Sequence, residues 1–311
     1  MRTKLTKTLL NTKKMTVNLE SILKNTILNR WNLFWLTSIP LSGLIIIKMT
    51  QHDMSSPEGV SEMIGYAVRW AVPLIYIVTA ASAVRILWPN IFTHWWFRNR
   101  KYIGMVFAVA MAWQGSFIYI MSTYFRDYYF EDIYLLRNEI EGSTGYIFLA
   151  AMVFTSFKFG SKYFTRKQWK IIHKSGVYFL WAYAYSVYWW ALFYYPDPVL
   201  FEHIFYWLGL LAFVLRIFAW GKKRSQSHTH KLNPFSRILG HTLIVSGFIV
   251  AYSGLNWRVP VSNFLLSPEW SSELELWLPY WPFEPFFSLL ITGLGVKIIT
   301  QSRFQQSENN A

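Results

Sequence analysis

Eight long apolar runs recur along the chain, at about 31–48, 64–87, 102–124, 143–160, 171–194, 203–220, 238–256 and 283–300. A helix needs about 20 residues to cross the hydrocarbon core of a bilayer, and each run approaches or reaches that length. Backbone N–H and C=O groups find no partner in lipid, so a spanning segment must satisfy them internally, and here that means helices. A membrane barrel would instead alternate polar and apolar residues over about ten positions. Runs such as GYIFLAAMVFTSF (145–157) do not alternate. Only 15% of residues are charged against 53% hydrophobic, well below the roughly one-quarter charged that a water-exposed surface requires. The expected fold class is an all-α polytopic membrane helix bundle of about eight transmembrane helices.

The loops between these runs alternate in charge. The N-terminal arm, 1–30, carries Arg2, Lys4, Lys7, Lys13, Lys14, Lys24 and Arg30. The next loop, 50–63, holds Asp53, Glu58 and Glu62 with no Lys or Arg. Arg98, Arg100 and Lys101 follow, and then 125–142 is acidic. The segments 158–170 and 221–237 are basic, whereas 195–202 and 257–284 are acidic. Positive loops stay on the cytoplasmic side, so the pattern predicts an N-in/C-in topology. The net charge of +14 is explained by this distribution and does not call for nucleic acid. Seventeen Trp and nineteen Tyr supply interfacial belts, as in VYWWALFYY at the outer end of the fifth run.

The chain has no Cys, which excludes disulfides, iron–sulfur clusters, thiolate-ligated haem and covalent CxxCH attachment. Neither GxGxxG nor GxxxxGK[ST] follows a strand-like segment, so no built-in FAD or NAD(P) domain is expected. Polar groups at membrane depth are costly and mark functional candidates. Arg69, Arg85 and Arg216 fall near the ends of runs and read as snorkelling side chains. Gln114 lies at mid-depth in VAMAWQGSF, where an interhelical hydrogen bond is expected. His173 and His241 start two different runs at matching depth, as two imidazoles facing each other across a b-type haem iron would need to. The competing reading leaves each ring wetted at the interface. His52 and His203 form a second pair on the outer side. His94 sits beside Trp95 and Trp96, and His228 and His230 lie in a basic loop, SHTHK. The outer segments 124–141 and 263–284 mix aromatic and acidic residues and are expected to lie on the outer leaflet or to dock an outer-side partner.

Two stretches carry a resemblance. RKYIGMVFAVAMAWQGSFIYIMSTY (100–124) resembles a helix pattern of the ferric reductase-like transmembrane family: two basic residues, an apolar pair and Gly, then a haem-ligating His ten residues beyond the Gly. Arg100, Lys101 and Gly104 match, and the ligand position falls on Gln114. The second stretch, 154–190, resembles the family's Phe-Thr-Ser helix end, basic loop and Trp-x-x-x-His block. Phe154, Thr155, Ser156, Trp169, His173 and Tyr178 match, while the next expected His falls on Ser186, or on Val187 if the match is anchored on Tyr178. The likeness is nearest to the branch of haem-binding membrane subunits that serve periplasmic methionine sulfoxide reductases. It covers roughly 64–190, about two-fifths of the chain.

The resemblance implies a multi-pass protein of the inner (plasma) membrane that passes electrons from a quinol or flavin donor, through haem b, to an outer-side redox partner. In this chain that reading needs substitute ligands, for which His173 with His241 is the sharpest pairing. The alternative is a haemless relative acting as a membrane scaffold or partner-binding subunit. The expected organisation is a basic cytoplasmic arm (1–30), a first span and outer loop (31–63), a ferric reductase-like core (64–220), two additional spans with an outer aromatic and acidic loop (221–300), and a cytoplasmic tail (301–311).

Overall fold

The helices of the first seven runs begin earlier than the apolar runs do, because charged residues that end a hydropathy signal still fit a helix once it leaves the hydrocarbon core. The computed structural model describes residues 20–226 and 233–300. Most of the basic arm, the tail and the pair His228/His230 lie outside the described residues. The main helices are α1 (Arg30–Met49), α2 (Pro57–Leu87), α3 (Ile91–Tyr124), α4 (Leu136–Ser156), α5 (Arg166–Tyr194), α6 (Leu200–Gln226), α7 (Pro234–Tyr252), α8 (Gly254–Leu266), α9 (Glu269–Trp277) and α10 (Phe287–Ile299). No strand occurs among the described residues. Five helices, α1, α2, α3, α6 and α7, are long and apolar enough to cross a membrane. The fourth, fifth and eighth runs are also helical, as α4, α5 and α10. The 13 residues of α10 rise only about 20 Å.

Local chemistry sets several of these starts. Asn90 accepts from the Thr93 amide at 2.9 Å and Thr93 Oγ1 accepts from the Asn90 amide at 3.0 Å, a reciprocal cap that starts α3 eleven residues before its apolar run. Thr165 and Gln168 close a similar box at the head of α5. The expected loop 125–142 is largely helical: a short turn over Arg126–Tyr128 and a π-helical turn over Tyr129–Ile133 precede α4, at whose head Arg137 and Glu141 pair one turn apart at 3.3 Å.

The chain divides into two compact units. The first comprises residues up to Ala81, Trp88–Tyr134 and Leu149–His173. Its core joins α1 to α3. Asn99, fully buried, accepts from the Arg30 amide at 2.9 Å and donates to Asn29 Oδ1 at 3.0 Å. It thereby caps α1, which Asn29 does not cap with its own side chain. Higher along the same helices, Trp113 Nε1 donates to Ser42 Oγ at 3.1 Å.

The second unit comprises Ser82–Leu87, Leu135–Phe148 and residues from Lys174 onward. Here α7 and α10 meet backbone to backbone. A Cβ on Gly240 would stand 2.3 Å from Ile299 Cγ2, and one on Gly247 would stand 2.2 Å from Thr292 Oγ1. Small residues at such seams let helices approach where lipid offers no hydrophobic drive. α10 also contacts α6, whose Gly221 has room for no Cβ beside Val296. The interior of this unit is aromatic. Trp181 stacks on Phe213 at 4.2 Å and on Tyr185 at 5.2 Å, and Tyr185 stacks on Tyr206 at 5.6 Å. Their polar tips find carbonyls: Trp181 Nε1 reaches Gly209 O at 3.0 Å and Tyr206 Oη reaches Ala251 O at 2.7 Å.

The segment 263–284 is tied in part to its own unit. α9 does expose Trp270 and Trp277, but the chain after it is bound by its own unit. Arg137 Nη2 donates to Trp281 O at 2.8 Å, the Tyr280 amide donates to Glu141 Oε1 at 3.0 Å, and Tyr280 Oη donates to Phe179 O at 3.0 Å. Burial, with the Glu141 carboxylate nearby, holds the Tyr280 phenol protonated far above its ordinary range. A surface strap on lipid would leave these backbone groups to water; the charged pair at the head of α4 takes them up instead.

Candidate functional site

The two motif blocks meet in the first unit. Phe-Thr-Ser ends α4 and Trp-x-x-x-His opens α5, so a short basic hairpin folds one onto the other. Trp169 and His173, four residues apart on one helix face, stack with ring centroids 4.1 Å apart. His173 Nε2 lies 3.0 Å from Thr155 Oγ1, and Trp169 Nε1 donates to Thr155 O at 3.2 Å. Thr155 is buried, and Lys101 of the first motif block donates to Ser156 O. Matched residues from both stretches thus converge on one helix end and satisfy its last carbonyls.

The remaining motif positions carry different chemistry. Ser186 is buried in the second unit, and its hydroxyl donates to Tyr183 O on its own helix at 3.0 Å. Val187, the other alignment of that position, is exposed. The inward-facing position is therefore Ser186, flanked by Tyr185 and two further aromatics at Tyr188 and Trp189, all buried. Gln114 is half-buried on α3.

The other histidines lie on other helices and loops. His241, in the second unit, lies on the exposed face of α7, with Nδ1 2.7 Å from Arg237 O one turn back. His203 is exposed and His52 half-buried. His94 belongs to the first turns of α3 rather than to a loop, with Nδ1 2.7 Å from Asn90 O. Among the described residues, no three His, Asp or Glu side chains gather as a metal site.

Arg216 does more than snorkel. Its Nε donates to Tyr178 Oη at 3.0 Å and its Nη1 to Ser82 Oγ at 3.2 Å, with the guanidinium 4.6 Å above the Tyr178 ring. Arg69 makes a long, exposed pair with Glu62 at 3.8 Å. Lys222, part of the basic segment 221–237, caps the end of α2 through Ile86 O and Leu87 O at 2.8 and 3.0 Å.

One further cluster answers to no sequence-based expectation. Glu284 is fully buried at the head of α10 and accepts from Tyr194 Oη at 3.0 Å. Arg258 lies 4.0 Å above the Tyr194 ring. Its signal in the sequence is an acid between two prolines, WPFEP, just where the eighth run begins.

These features define a helical membrane protein. No protein-family model matches the chain, and neither a curated protein nor a solved structure matches it.

Proposed function

We propose that this chain is a haemless ferric reductase-like membrane subunit that serves as a scaffold or partner-binding component. It crosses the inner membrane eight times with both ends in the cytoplasm. The observation that carries the reading is Ser186. Where the resemblance implies an inward imidazole, this helix presents a small, buried hydroxyl already bonded to its own backbone. Neither that hydroxyl nor the Gln114 amide matches the axial ligands used for b-type haem. Of the motif positions only His173 keeps an imidazole, and its Nε2 faces Thr155 Oγ1. This donor set does not fit a bis-imidazole haem.

The electron-transfer reading keeps one observation in its favour: Trp169, His173 and Thr155 assemble as a unit. It requires His173 and His241 to hold haem b between a quinol or flavin donor and an outer acceptor. A dithionite-reduced minus oxidised spectrum of protein made with full haem supply separates the two. The expected result is featureless. A sharp b-type α-band that disappears in His173→Ala would establish haem and overturn the scaffold reading. For sidedness, a cysteine placed at Glu131 is expected to react with an impermeant thiol reagent only from outside; reaction from the cytoplasm would reverse the topology.

A further inference from the structure

In the first unit, a cleft of about 400 Å³ opens beside the N-terminal turns of α3, lined by Leu23, Lys24, Ile91, His94, Trp95 and Arg98 with Asn90. That volume falls in the roughly 300–1,000 Å³ range of small-ligand sites. Its chemistry is two-sided. Lys24 and Arg98 bring two cations to one wall, and both are exposed. Arg98 is held in place by Asn29 Oδ1 at 2.9 Å, an anchor that carries no charge. Lys24 pairs with Glu20 at 2.6 Å, but that pair is largely solvent-exposed and such pairs contribute little. His94 Nδ1 is taken by Asn90 O, so Nε2 is the ring atom left for a ligand. The edge is apolar: Leu23, Ile91 and Trp95 line the cleft beside the cations, and Phe92, which is exposed, stacks on Trp95 at 5.7 Å. α3 runs 34 residues, about 51 Å, against a hydrocarbon thickness of about 30 Å. The turns that carry the cleft therefore extend into the headgroup layer.

We infer that this cleft binds the headgroup of an anionic phospholipid, with Lys24, His94 and Arg98 on the phosphate and the Ile91, Phe92 and Trp95 edge on the upper acyl chains. Cations alone would suit any soluble phosphate; the apolar rim at headgroup depth favours a lipid. Basic pockets between membrane helices on the cytoplasmic side recognise such headgroups, and one Lys or Arg near an anionic surface contributes about 1 kcal/mol, or about fivefold in affinity. The inference uses the proposed topology only to choose the leaflet, and does not depend on haem.

The test is the melting midpoint of the full chain in detergent micelles titrated with phosphatidylglycerol, phosphatidylcholine or inorganic phosphate. Phosphatidylglycerol is expected to raise the midpoint saturably and phosphatidylcholine not to. Lys24→Gln is expected to weaken half-saturation about fivefold, whereas Lys170→Gln, in a different basic segment, leaves it unchanged. Equal stabilisation by both lipids would overturn the proposal, as would equal effects of the two variants. So would inorganic phosphate reproducing the rise, which would make the cleft a soluble-anion site. Because Arg98 also holds Asn29, Lys24→Gln is the informative variant, its side chain being exposed.

Discussion

His173 and Ser186 lie thirteen residues apart on one helix, and both occupy positions where the resemblance implies an imidazole. Their surroundings differ in kind. His173 is gripped by Thr155 and Trp169, and those contacts hold two helix ends together without any further group. Ser186 is buried and closes its hydroxyl on its own backbone. The positions that match the resemblance are the ones whose residues bond other parts of this protein, and the position that departs from it bonds only its own helix.

That contrast can be broken in four ways. Tyr185→Ala opens a cavity in the stack beside Ser186 and is expected to cost about 3–5 kcal/mol, read as a lowered unfolding midpoint in mixed micelles. Ser186→His introduces the residue that the resemblance implies at this position. If the ring stack fills that space, the variant loses about 1–3 kcal/mol from overpacking and its difference spectrum stays featureless; a variant that gains stability together with an α-band would show that the site still accommodates haem. Thr155→Val removes one hydrogen-bond partner of His173 and is expected to cost about 1 kcal/mol, with Trp169→Ala non-additive with it in a double-mutant cycle. His241→Ala is the smallest effect, within about 0.5 kcal/mol, since that ring is exposed and bonds only its own helix. A loss at His241 as large as that at Thr155 would mean the two histidines share a function.

How much of this is legible in the amino-acid sequence depends on the interaction involved. Apolar runs announce helices in lipid, and the four-residue spacing of Trp169 and His173 alone puts both on one helix face. The helix starts of α3, α4 and α5 are not legible in the same way, because capping and i,i+4 pairing operate on residues that hydropathy counts as loop. Arg216 reads as a lipid-facing side chain, since nothing local indicates that Tyr178 and Ser82 will receive it. For Glu284 the local sequence marks an acid between two prolines but not its partner, since Tyr194 is ninety residues away.

By itself the sequence determined the solvent and the secondary structure, because both follow from composition within one turn or one span: apolar length demands a helix, and loop charge biases its direction. Only the tertiary structure decided which polar groups are inside. It turned Ser186 inward and Val187 outward, drew Tyr280 and Trp281 onto the Arg137–Glu141 pair, and buried Glu284 against Tyr194. In lipid, polar groups gain little from their immediate neighbours and much from a partner on another helix, and that partner is set by packing at long range.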